Sequence, residues 1–205
     1  MKVFVDLCTS LGGASKAFDE SPDWVTIKID NAEYLLDHHQ GMILQDITDV
    51  EGTLAIIERR LAELNFSHDD TLVVWASPPC QQFSYANANR YPENFDMTIL
   101  DSCQEIIHRL DCNYWIIENV AGAEEAFTEE IGKRPTQTIG SILMWGEFPP
   151  IAIRSRDSFK HRKMESKGSR LLRPHMRSLI PEVVSQGLRD AIDHQKKLSD
   201  YCLLD

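Results

Sequence analysis

Leu72-Val73-Val74-Trp75-Ala76-Ser77-Pro78-Pro79-Cys80 is the stretch that decides the fold. Its five apolar residues form a short, β-branched run that ends in a turn signal, the pattern of a buried strand. The two prolines fix φ, so the chain leaves the strand stiffly. The first residue they present is a thiol, aimed rather than loose. A thiol aimed at the end of a strand is a candidate nucleophile. Read alone, Cys80 is equally a small buried residue with no reactivity, the commoner fate of a free cysteine.

Outward from this run, residues 2–7, 24–29, 42–44 and 114–117 read as further strands, and residues 14–18, 32–38, 54–64 and 95–110 as helices. Alternating strands and helices predict an α/β fold, with a mostly parallel, doubly wound sheet covered by helices on both faces. Beyond Val120 the pattern loosens. Residues 141–145 and 151–153 read as possible strands, 145–150 as a turn with packed aromatics, and 154–176 as an extended or loop-rich insertion. Pro181 suits a helix start, with the helix running to about residue 197.

Composition bounds the partners. The 205 residues suit one domain with a sizeable core, and the net charge is −11. The charge is uneven: residues 154–177 carry nine Lys or Arg against Asp157 and Glu165, a local +7 that leaves −18 for the rest. A basic patch on an acidic body can grip phosphate; the plainer alternative is a solvated loop. No apolar run is long enough for a bilayer, and the N-terminus lacks a signal-peptide pattern, so no membrane partner is expected. The five cysteines (Cys8, Cys80, Cys103, Cys112 and Cys202) form no C-x-x-C pair. Neither a zinc site nor a disulfide framework is therefore expected, and a reducing, cytoplasmic setting fits.

In an open parallel sheet, ligands bind beyond the carboxyl ends of the strands. Those ends carry Asp6, Asp30, Asp46, Cys80 and Glu118-Asn119. Gly12 and Gly13 follow the first strand and let a ligand approach backbone near a helix start. Asp30 suits ribose hydroxyls and Asp46 an adenine amino group, the general layout for an adenosine-containing cofactor. Each acid taken singly is as well explained as a helix cap. On the other half, a thiolate and a carboxylic acid in one pocket suit covalent activation of an electron-poor ring. The thiolate adds to the ring while the acid protonates a ring nitrogen.

Three segments carry a family resemblance. Asp6-Leu7-Cys8-Thr9-Ser10-Leu11-Gly12-Gly13, Pro78-Pro79-Cys80-Gln81-Gln82-Phe83-Ser84 and Glu118-Asn119-Val120 resemble the first, fourth and sixth motifs of cytosine-5 DNA methyltransferases, in order and spacing. Arg154-Ser155-Arg156 is similar to the eighth motif. Arg177-Ser178-Leu179-Ile180-Pro181-Glu182 is similar to the ninth, in the form seen in compact phage-type members. The resemblance implies a Rossmann-like S-adenosylmethionine-dependent methyltransferase fold and a single catalytic domain over residues 1–205. In that domain a short basic insertion at about 154–177 stands in place of a target-recognition domain.

The resemblance also implies a mechanism. Cys80 attacks carbon 6 of cytosine, Glu118 binds the amino group and protonates N3, and carbon 5 takes the methyl group. Arg156 holds the base or a nearby phosphate. The implied methyl-donor contacts are Asp6, Leu7, Ser10, Leu11, Gly12, Gly13, Asp30, Asn31, Asp46, Ile47 and Pro78. The implied substrate contacts are Ser77, Pro79, Gln81, Phe83, Ser84, Asn119, Val120, Arg154, Lys160, Arg162 and Lys163. A duplex substrate requires the base to be flipped out of the stack.

The chain departs from the family's pattern in several places. Ser10 stands at the first glycine of the Phe-x-Gly-x-Gly-Gly turn, and Cys8 stands at its phenylalanine. No Gly-Asn-Ser-Val stretch resembling the tenth motif is visible, and only about twenty residues lie between Arg156 and Arg177. Three readings stay open. They are a minimal DNA methyltransferase, the same chemistry on a cytidine nucleotide or an RNA such as tRNA, and a non-catalytic cofactor-binding subunit. A compact enzyme of this kind is expected in a bacterial, archaeal or phage-infected cell.

Overall fold

The computed structural model describes residues 1–153 and 171–195. Seven strands form one sheet: β1 (Lys2–Leu7), β2 (Trp24–Asp30), β3 (Met42–Leu44), β4 (Thr71–Ala76), β5 (Tyr114–Val120), β6 (Gln137–Ile139) and β7 (Ile142–Glu147). Their order is β3-β2-β1-β4-β5-β7-β6. The first five are parallel, whereas β7 runs antiparallel to β5 and pairs with β6 as a hairpin. The helices are α1 (Lys16–Asp19), α2 (Val50–Glu63), α3 (Thr98–Leu110), α4 (Glu124–Ile131), α5 (Arg173–Arg177) and α6 (Glu182–Asp193).

The alternation within the strands explains the two cores. Val3, Val5 and Leu7 of β1 and Leu72, Val74 and Ala76 of β4 face α2 and α3, where they meet Leu54, Ile57, Cys103 and Ile106. Phe4, Val73 and Trp75 point the other way, onto Phe18, Trp24, Val184, Leu188 and Ile192. A strand apolar at every position is what a sheet covered on both faces requires. Val184, Leu188 and Ile192 stand at fourfold spacing on α6, one stripe on the sheet. Burying each such side chain contributes about 1.5–3 kcal/mol relative to leaving it in water.

Local chemistry sets the boundaries. Asp49 caps α2 by accepting from Gly52 N at 3.1 Å. Asp96 accepts from Thr98 N at 3.0 Å, so α3 opens at Thr98 rather than at the expected residue 95. Residues 32–38, expected to be helical, give only one 3-10 turn at Glu33–Leu35, because Leu35 is the only buried residue in it. Glu118 and Asn119 lie inside β5, not after it, because β7 pairs with both (Glu118 with Met144, Asn119 with Leu143). The possible strand at 141–145 is β7, which runs on through Gly146 and Glu147, both expected in a turn. Residues 151–153 form no strand, while Arg173–Arg177, read as part of a loop, is helical. α6 ends at Asp193, before the expected 197.

Candidate active site

The carboxyl ends of the parallel strands open onto a cleft of about 940 Å3. Asp6, Ser10, Gly13, Asp30, Asn31, Asp46 and Ile47 line one end, and Ser77, Pro78, Pro79, Cys80, Gln81, Glu118 and Val120 line the other. Residues 174–183 form the opposite wall. Of the other candidates, Leu7 and Phe83 are buried in the core, Asn119 is buried against the Pro78 carbonyl, and Leu11, Gly12 and Ser84 stand back from the lining. Arg154, Arg156, Lys160, Arg162 and Lys163 lie outside the described residues.

At the Cys80 end, β4 and β5 are neighbours, with Ala76 opposite Ile117, so Ser77 and Glu118 follow side by side. Ser77 Oγ donates to Glu118 Oε2 at 3.1 Å and accepts from Trp75 Nε1 at 2.8 Å. The indole can only donate, which leaves the serine proton for the carboxyl group. Burial pushes the Glu118 carboxyl up to about 7, against the opposing bond from Ser77. Burial also raises the Cys80 thiol, and the Glu118 charge raises it further. The cleft therefore holds a carboxylic acid poised near neutrality beside a thiol that stays protonated until a partner draws its proton away.

The loop behind Cys80 is tied down at several points. Phe83 N and Ser84 N donate to Cys80 O at 3.1 and 3.0 Å, and Asn119 Nδ2 donates to Pro78 O at 2.9 Å. Phe83 packs edge on against Phe95 and Phe127, with centroids 4.7 and 5.0 Å away. Arg90 donates to Phe83 O and Gly122 O, both at 3.0 Å, and lies over the rings of Tyr85 and Phe95. Nothing in the sequence surroundings of Arg90 marks it as the clamp of this loop. A Cβ on Gly122 would overlap the Phe83 carbonyl oxygen. Gly122→Ala is thus expected to push the loop off β5, lowering stability by about 1–3 kcal/mol. Cys80 should move with the loop, so its rate of alkylation should change as well. Denaturant melts beside thiol-labelling rates check this.

At the other end the acids are wired into backbone. Thr9 Oγ1 donates to Asp6 Oδ2 at 2.8 Å, and burial raises the Asp6 carboxyl to about 7. Asp30 accepts one bond on each oxygen, from Ser10 N at 2.9 Å and Ala32 N at 3.0 Å. A carboxylate has about four acceptor sites, so Asp30 keeps capacity for a pair of hydroxyls. Asp46 accepts from Thr48 N and Oγ1, which hold its carboxyl below the ordinary value. A Cβ on Gly13 would come within 2.7 Å of the Ile180 backbone, so this glycine is required by the seat of the opposite wall.

A family model described as C-5 cytosine-specific DNA methylase matches residues 2–141. The chain belongs to this family. Its sheet is that of the Rossmann-like methyltransferase fold, and the matched residues include both halves of the cleft up to its far wall. Among solved structures, an Entamoeba histolytica methyltransferase is similar at 16% identity and a TM-score of 0.40, over 64% of this chain and 42% of that one. A prophage-encoded Escherichia coli protein, described as a DNA modification methyltransferase, is similar at 14% identity and a TM-score of 0.42, over 64% of this chain and 36% of that one. This methylase-family chain thus spans less than half the length of either. No curated protein matches it. No described helix is long and apolar enough to cross a membrane, and the described residues hold no group of three or more potential metal ligands.

Proposed function

We propose that this protein is an S-adenosylmethionine-dependent cytosine-5 methyltransferase acting on DNA through a covalent Cys80 adduct at cytosine carbon 6. One observation carries the reading: Cys80 and the buried, near-neutral Glu118 line the same cleft from adjacent strands. Three acids at the ends of successive neighbouring strands, with spare acceptor capacity on Asp30, fit the donor. When bound, S-adenosylmethionine supplies an electrophilic methyl group. Asp30 would hold its ribose and Asp46 its adenine amino group, with Asn31 and Ile47 closing around them and Pro78 meeting the donor from the Cys80 end.

The chain's own part follows from its chemistry. The Cys80 sulfur forms a bond to carbon 6, and the displaced electron pair is neutralised by the Glu118 proton at N3, leaving carbon 5 nucleophilic. Glu118, oriented by Ser77, also accepts from the cytosine amino group. After methylation, a base takes the carbon 5 proton, the freed electron pair re-forms the ring double bond and expels Cys80 as thiolate, and N3 returns its proton to Glu118. Asn119 and Arg90 keep the loop in register throughout. Residues 1–205 would act as one catalytic domain, with the basic stretch at 154–177 gripping phosphate through Arg154, Lys160, Arg162 and Lys163 while Arg156 holds the base.

Labelled methyl transfer to duplex DNA, single-stranded DNA, tRNA and mixed cytidine nucleotides tests the substrate. Label in DNA is the expected result. Label in nucleotides or tRNA alone would keep the chemistry and overturn the substrate. Binding to DNA should weaken steeply with salt, with a log–log slope of about −4 if four cations each meet a phosphate. A flat response would point instead to a free nucleotide.

A further inference from the structure

His175 joins three segments that lie far apart in the sequence. Its Nδ1 is 2.7 Å from Ser10 Oγ, across 165 residues, and its Nε2 is 2.7 Å from Tyr34 OH, with the two rings meeting edge on at 5.6 Å. Neutral imidazole offers one N–H and one bare nitrogen, so one hydroxyl donates to the ring while the other accepts from it. Protonation turns both nitrogens into donors, and both hydroxyls can accept. The contacts therefore survive in either charge state.

Ser10 is the unexpected member. Its φ is +53°, a left-handed conformation that costs an L-residue about 1–2 kcal/mol and that glycine adopts freely. Its amide donates to Asp30 while its hydroxyl meets His175. Glycine would relieve the backbone but would leave Nδ1 without this partner. The strain thus coincides with a contact that only a side chain can make. On the facing wall, α5 has no fully buried residue. Beyond it the chain is seated firmly: Ile180 lies against Gly13, and Ser185 Oγ donates to Ala14 O at 2.6 Å and accepts from Ala17 N at 3.0 Å. His175 fastens the less buried arm to the strand-end loops.

We propose that His175 is a positioning residue for the methyl donor. It fixes Ser10, and through the Ser10 amide Asp30, at the donor end of the cleft, and so sets donor affinity without touching cytosine. This rests on the assignment of that end to S-adenosylmethionine.

The test uses the full chain and calorimetric titration with S-adenosylhomocysteine, alongside steady-state rates and Tm. His175→Ala should weaken binding about tenfold. At saturating donor, kcat should stay within threefold and KM for DNA within twofold. A merely structural lesion would move kcat and Tm together instead. His175→Asn sets an amide near the Nδ1 position and should recover part of the loss through Ser10. Ser10→Ala combined with His175→Ala should be no worse than the weaker-binding single variant, because the two side chains act through one contact. If His175→Ala fails to fold, Tyr34→Phe, which removes one hydroxyl from a side chain 42% exposed, should still weaken binding about threefold. Tight binding by the wild type with Ser10→Ala, Tyr34→Phe and any folded His175→Ala within twofold of it would overturn the role of His175 alone. A wild type that does not bind S-adenosylhomocysteine would overturn the donor assignment itself, and this inference with it.

Discussion

Cys80→Ala is expected to lower methyl transfer by about 10,000-fold or more, the scale on which removal of a covalent nucleophile acts. Donor binding should stay within about threefold, because Cys80 lies at the opposite end of the cleft from Asp30 and Asp46. A 5-fluorocytosine substrate cannot lose its carbon 5 substituent as a proton, so the wild type should form a stable adduct with it while Cys80→Ala forms none. Mass spectrometry of the denatured protein reads this directly. Full transfer by the alanine variant would end the covalent mechanism. Serine at this position should be nearly as inactive, because its hydroxyl holds its proton far more tightly than a thiol.

Glu118→Gln is expected to cost about 100- to 10,000-fold in rate, the range of general-acid catalysis. The proposed mechanism needs a thiolate and a carboxylic acid at once, yet Glu118 titrates near 7 and Cys80 above its ordinary value. The reactive form is therefore the minor arrangement of the singly protonated pair. The wild-type kcat/KM should rise with pH to about 7, hold a plateau, and fall only when the thiol itself titrates. Glutamine removes the first break, so the variant should keep climbing through neutrality.

Stability should move the other way. The Glu118 carboxyl titrates near 7 in the folded chain against an ordinary value of 4.5. Between those values the folded state binds the extra proton, and stability is lost as pH rises through that window. At pH 8 the buried charge costs on the order of 3 kcal/mol. Glutamine removes that cost and can still accept from Ser77, so Tm at pH 8 should rise as activity collapses. Asp6, also raised to about 7, adds a loss of the same sign that Glu118→Gln leaves in place.

The parallel half of the sheet was legible because strands buried on both faces have to be apolar throughout, as Val3-Phe4-Val5 and Leu72-Val73-Val74-Trp75 are. Cys80 and Glu118 could be found for the same reason: they end or border such runs. The antiparallel edge was harder to read. β6 has one buried residue in three, and α4 buries only Phe127, so neither shows a period. Gly146 resembles a turn glycine, yet it lies within β7, where its lack of a Cβ lets the Trp115 carbonyl oxygen come close. The His175 contact with Ser10 left no trace in the sequence, because a polar pair separated by 165 residues obeys no local pattern.

That separation also gives the protein an order of assembly. The ribosome delivers residues 1–120 first, and these already contain five parallel strands with Cys80 and Glu118 at their edge. Ile180, which seats on Gly13, and Ser185, which bridges Ala14 and Ala17, emerge some sixty residues later. A nascent chain would therefore hold Cys80 and Glu118 at the sheet edge before it could close the wall opposite.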